Sequence, residues 1–234
     1  MANGDDGTCR FYDGTNYEEK GRVREVDDAD NLRFDAKAKR IYLGYGEGAL
    51  GVIDPVAMKL VKSIALTRHP ESFQLEQDGS RIFVNVPDAR NIAVVDRAAG
   101  KVIATWAVDE FRANFPMALD ERRHRLFIGC RTPARLLVFD TQSGRRVADA
   151  PLSGDIDDLF FDAASSRLLA SCGEGFIDVF YFEAPNRLSR THRLPSAAGA
   201  RTAFFVAQLG FCLAVPHHGA QAAEIRVFSL APMK

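Results

Sequence analysis

Asp30, Asn31, His69, Glu71, Asp157, Asp158 and Arg201 are the side chains whose types and spacing could do chemistry. Each falls a few residues ahead of a phrase that recurs along the chain, so each is expected at the equivalent place in successive structural units. Carboxylate and amide oxygens are the donors a hard divalent cation such as calcium takes, and a guanidinium among acids can hold a polar ligand between opposite charges. Asp30, Glu71 and Asp157 are the carboxylates that a metal reading would use. The bland alternative is that these groups cap loop N–H groups and keep a solvent-filled opening wet. Asn114 and Asp155 stand close by, and tight turns elsewhere add Glu47, Arg131, Glu174 and the pair His217-His218. Adjacent histidines point apart on an extended chain, so that pair makes a poor chelate.

Established catalytic signatures are missing. The chain has no G-x-S-x-G elbow, no H-E-x-x-H helix, and no glycine-rich phosphate loop. The histidines His69, His124, His192, His217 and His218 have no nucleophile spaced beside them. Cys9, Cys130, Cys172 and Cys212 lack CxxC spacing and read as buried structural thiols.

Composition narrows the function classes further. The 234 residues are 47% hydrophobic, enough for a large core, and 30 Lys and Arg oppose 31 Asp and Glu. Charge that balanced, with no basic stripe, argues against nucleic acid as the partner. No run of about 18 apolar residues occurs, so no membrane span is expected. The opening "MANGDDGTCR" has neither the basic start nor the apolar middle of a secretory signal.

The elements that would position the candidate residues are set by a repeat. "RIYLGY", "RIFVNV", "RLFIGC" and "RLLASC" begin at Arg40, Arg81, Arg125 and Arg167. The anchors ending at Asp35, Glu76, Asp120, Asp162 and Val206 are 41, 44, 42 and 44 residues apart. A second register agrees, because Asp13, Asp54, Asp96 and Asp140 close similar runs at intervals of 41, 42 and 44. That period is a propeller blade's. Each unit holds four short runs rich in Val, Ile, Leu and Phe, divided by turn formers, which reads as four antiparallel strands, a to d. The Asp closing strand c is expected to accept backbone N–H groups of the next turn, with Gly100 or Gly144 taking a positive φ ahead of strand d. The "GEG" turns read as hairpins. Phe34, Phe73, Phe115, Phe161 and Phe205 are expected between blades, and Trp106 in interblade packing.

The fold expected is therefore an all-β propeller of four-stranded antiparallel blades. The stretch 81–108, "RIFVNVPDARNIAVVDRAAGKVIATWAV", resembles the YVTN-repeat propellers, also called YncE-like, although the "YVAN"-type signature is altered to "YLGY", "FVNV" and "FIGC" and the blade after Phe161 carries "VFYF" in place of "V-x-D". The resemblance implies a non-enzymatic binding or scaffolding role, for a protein, a peptide or a small polar ligand, often in exported or periplasmic proteins. The alternative is a propeller hydrolase or lactonase with a metal such as calcium in a central channel. Strand counting gives partial blades at 1–31 and 199–234 and full blades near 32–70, 71–112, 113–154 and 155–198, the expectation being a truncated member of a seven-bladed parent. The candidate residues are then expected at the mouth of the axial channel, on connections into strand a.

Overall fold

The computed structural model describes residues 1–183, 186–219 and 221–229. It comprises two compact units, Met1–Asp109 and Glu110–Lys234, and each contains three antiparallel sheets.

In the first unit, β1 (Ala2–Asn3), β2 (Thr8–Tyr12) and β3 (Glu19–Val23) form a three-stranded sheet. Two four-stranded sheets follow: β4 (Leu32–Asp35), β5 (Arg40–Tyr45), β6 (Ala49–Asp54) and β7 (Lys59–Ala65), then β8 (Phe73–Leu75), β9 (Arg81–Val86), β10 (Asn91–Asp96) and β11 (Lys101–Ala107). The second unit mirrors that count. It has β12 (Arg112–Asp120), β13 (Arg125–Thr132), β14 (Ala134–Asp140) and β15 (Arg146–Pro151), then β16 (Ile156–Asp162), β17 (Arg167–Cys172), β18 (Phe176–Glu183) and β19 (Arg187–Pro195). A three-stranded sheet of β20 (Ala203–Val206), β21 (Gly210–Val215) and β22 (Glu224–Phe228) completes it. Every sheet is a meander in which sequence neighbours pair, as expected for propeller blades. The expected continuation of strand c to Leu230, and residues 231–234, lie outside the described residues.

The blade number corrects one expectation. Among the described residues the structure shows six blades, four of them four-stranded and two three-stranded, where a seven-bladed form was expected. A repeat of about 42 residues sets the size of a blade, and no residue encodes the number of blades.

Burial follows the strand types. β9 and β17 are buried at every position after their leading Arg, whereas the outer strands β7 and β11 are mostly exposed. Within each unit, neighbouring sheets pack on the middle strands. In the first unit Tyr42, Leu50 and Ile64 pack on Phe73, Ile82 and Val84 of the next sheet. In the second, Phe127, Leu136 and Val138 pack on Ile156, Leu168, Phe180 and Phe182. Each large apolar side chain so buried contributes about 1.5–3 kcal/mol. Phe34 departs from the expected aromatic set: it is 53% exposed, while Phe73 is fully buried. Trp106 packs on Phe83 of its own sheet, ring centroids 5.4 Å apart.

The repeated residues have visible tasks. Asp54 Oδ1 accepts the N–H groups of Val56 and Ala57 at 2.9 and 3.0 Å, and Asp140 Oδ1 those of Gln142 and Ser143 at 3.1 and 2.8 Å. Asp96 Oδ1 accepts from Ala99, and Gly100 and Gly144 take φ of 61° and 72°. The Arg that leads strand b meets the Asp that closes strand c, Arg40 with Asp54 at 3.3 Å and Arg125 with Asp140 at 2.6 Å. In the blade where "V-x-D" is lost, the residue facing Arg167 is Tyr181. Five c–d pairings also share a register shift in the second half of strand c, close to its end at Phe11/Tyr12, Val52/Ile53, Val94/Val95 and Val138/Phe139 and three residues earlier than Glu183 at Val179/Phe180. Such bulges raise the local twist of the outer strand.

Candidate functional site

The first unit gathers one cluster on the connections that lead into strands β4 and β8. Asp30 is pinned by its N–H to the carbonyl of Gly44 (3.1 Å), and the N–H of Gly44 returns to Asn31 O (2.9 Å). Glu71 is pinned in the next sheet, its N–H donating to Asn85 O at 3.0 Å. Pro70, buried between His69 and Glu71, lies on Gly44, where a Cβ would sit 3.1 Å from the proline Cγ. The missing side chain at Gly44 thus lets the second connection close on the first. A carboxylate oxygen of Asp30, a ring nitrogen of His69 and a carboxylate oxygen of Glu71 all lie within 4.8 Å of one another. His69 Nδ1 is 2.7 Å from Gly46 O, which makes it the donor, and 3.4 Å from Asp28 Oδ2. Asn31 Nδ2 donates to Asp30 Oδ2 at 2.9 Å.

The second unit gathers a different cluster. Arg131, at the end of β13, donates Nε–H to Ile156 O (2.8 Å) and Nη2–H to Asp157 Oδ1 (2.5 Å), while its guanidinium lies 4.5 Å from the Phe115 ring centroid. Arg201, ahead of β20, grips both oxygens of Asp155 at 3.0 and 2.7 Å and stands 3.9 Å from Asp157. Three successive blades therefore meet in one pair of arginines and one pair of acids. Asp155 holds a φ of 57°, and Gly173 passes so close beneath it that a Cβ there would run into its carboxylate. Asp158 turns inward instead, accepting the N–H of Ala203 at 2.7 Å, which is the capping behaviour of the bland reading.

A second network borders this cluster. Asp178 is fully buried and accepts from Ser153 N (2.7 Å), Ser153 Oγ (3.1 Å) and Arg190 (3.3 Å). Arg193 donates to Ser153 Oγ at 2.9 Å and lies over Phe176, its guanidinium carbon 3.6 Å from the ring centre. Glu174, the acid of the second "GEG" turn, accepts from Gly154 N at 2.6 Å and pairs with Arg193 at 3.3 Å. None of these roles was read from sequence. The available signal was an acid inside the apolar run "FIDVFYF", which demands internal partners.

Of the sequence candidates, Asp30, Asn31, His69 and Glu71 belong to the first unit, and Asp157, Asp158 and Arg201 to the second. Asp157 is held by guanidinium groups, whereas the side chain that converges with Asp30 and Glu71 is His69. His218 Nε2 is 2.8 Å from Ala198 O. The thiols are free and mostly buried: burial raises Cys9 and Cys172 above the ordinary thiol value and pushes Cys130 up to about 12. No helix among the described residues is long and apolar enough to cross a membrane.

These blades and their loop clusters define a β-propeller, and comparison with solved structures agrees. The chain is similar to one in "Crystal Structure of Mitotic Checkpoint Complex" at TM-score 0.78 and 12% identity, covering 96% of this chain and 69% of that one. It is similar also to one in "Kuenenia stuttgartiensis Hydrazine Synthase" at TM-score 0.76 and 12% identity, covering 88% and 67%. At that identity the likeness speaks for the fold alone. No family model and no curated protein matches the chain.

Proposed function

We propose that this chain is a non-enzymatic propeller of the YVTN-repeat kind, a binding or scaffolding module that recognises a protein or peptide through its loops. The observation that carries the reading is the Arg131–Asp155–Asp157–Arg201 cluster. Its side chains are accessible, with Arg201 at 44% and Asp155 at 39% exposure, yet ladder bonds and ion pairs fix them in place. Guanidinium and carboxylate edges side by side offer donors and acceptors together, the pattern that polar and charged groups of a peptide can meet. Preorganised arginine stacked on an aromatic ring costs little entropy to bind, and loops on a rigid sheet scaffold are where recognition concentrates. Each arginine here already has an acid beside it, which disfavours a phosphate backbone. The buried thiols, with Cys130 near 12, supply no thiolate for nucleophilic chemistry at neutral pH.

A displayed peptide library selected on the immobilised chain tests this reading. The expected result is a set of charged peptides whose affinity falls at least tenfold on Arg201→Ala or Arg131→Ala. Peptides that bind both variants as well as wild type, or no enrichment at all, would overturn it.

A further inference from the structure

We propose that Asp30, His69 and Glu71 form a site for a divalent transition-metal cation of the zinc type. The inference stands apart from the partner-binding reading, because it uses different residues in the other unit.

Among the described residues this is the one group of three potential ligand side chains whose donor atoms converge, all within 4.8 Å of one another. One nitrogen and two carboxylate oxygens form a donor set suited to zinc and its neighbours, since imidazole favours borderline cations over calcium or magnesium. Three protein ligands leave a coordination position for water or for a ligand atom.

The imidazole is prepared for that task from outside the cluster. His69 Nδ1 lies 2.7 Å from the Gly46 carbonyl, a hydrogen bond that orients the ring and assigns Nε2 as the nitrogen that would meet a cation. A carbonyl accepting from the other ring nitrogen is the usual partner of a metal-bound histidine. The carboxylates are set independently of it. Asp30 and Glu71 are each held by a backbone N–H bond to a different sheet, and Gly44 ties the two connections together through Pro70. Among the described residues no lysine or arginine forms an ion pair with Asp30, and Asp28 adds a further acid 3.4 Å from His69.

The test is competition with a chromogenic zinc chelator, using apo protein and zinc chloride, followed by the same titration with calcium chloride. The expected outcome is one zinc per chain, an affinity lowered roughly 10- to 100-fold by His69→Ala and also by Asp30→Asn, and much weaker calcium binding. His217→Ala/His218→Ala serves as the control for adventitious surface chelation and is expected to bind zinc like wild type. The proposal is overturned if wild type takes no zinc, if His69→Ala binds as tightly as wild type, if the paired-histidine variant abolishes binding, or if calcium binds more tightly than zinc. Melting of each apo variant checks that fold is retained, which the accessibility of Asp30 and His69 favours.

Discussion

The two loop clusters differ in what balances their acids. In the second unit Asp155 and Asp157 face Arg131 and Arg201, so charge is cancelled inside the protein and the cluster ties three blades together. In the first unit Asp30 and Glu71 converge with the imidazole of His69, and Asp28 lies 3.4 Å from that ring. The same repeat position carries an arginine–carboxylate network in one place and a convergent set of one nitrogen and two carboxylate oxygens in the other. Equivalent backbone geometry therefore does not imply equivalent chemistry, and the partner residue decides.

The largest effect that would expose this contrast comes from the buried acid next to the second cluster. Asp178→Ala leaves Ser153 and Arg190 without their acceptor and is expected to destabilise the chain by about 3–5 kcal/mol, read as a lowered urea midpoint. Asp30→Ala, in contrast, is expected to shift the same midpoint by less than about 0.5 kcal/mol in metal-free buffer. Equal losses would erase the distinction.

Two glycines sharpen it at an intermediate scale. A methyl at Gly173 meets the Asp155 carboxylate and must push it off Arg201, and overpacking of this kind costs about 1–3 kcal/mol. A methyl at Gly44 presses on Pro70 and moves His69 and Glu71 relative to Asp30. Gly173→Ala is expected to act mainly on melting temperature, and Gly44→Ala mainly on zinc affinity. Arg201→Ala comes next, with a loss of at most about 1 kcal/mol because the pair is exposed, and a loss that shrinks in high salt.

The smallest effect belongs to the turn carboxylates that both units share. For Asp140, partial burial alone would raise the pKa, but hydrogen bonds from Ser143 and the Arg125 guanidinium more than offset it and hold the carboxyl below 3.8. For Asp54 the N–H groups of Ala57 and Val56 do the same. A pKa depressed on folding stabilises above the unfolded value and loses that contribution as pH falls through the folded one. Asp140→Asn is therefore expected to flatten the decline of the urea midpoint between pH 5 and pH 2, and an unchanged slope would remove the turn from the account.

Much of this fold could be read from the chain because each blade repeats its constraints. The Arg leading strand b, the Asp closing strand c and the glycine of the next turn recur at one period, and each has a local physical cause that the structure bears out. The bulge near the end of strand c was not legible, since it arises from pairing geometry and leaves no residue signature. The blade total was not legible either, for a repeat fixes the size of a unit and not the number of units. At the clusters, repeat register brought out Asp30 with Glu71, but their surroundings depended on residues from turns of other strands. Arg131 comes from the end of β13, and the carbonyl that orients His69 comes from the turn after β5. An acid inside the apolar run of β18 signals that Asp178 needs internal partners, but its partners Ser153 and Arg190 come from other segments and carry no mark of that pairing.

The most direct measurement is an anomalous-difference map at the zinc absorption edge, from crystals of the full chain equilibrated with zinc. A peak bounded by Asp30, His69 and Glu71, with none beside Asp155 and Asp157, is the predicted result. Density beside the second pair, or an empty first cluster at saturating zinc, would contradict the claim that the two acid clusters do different chemistry.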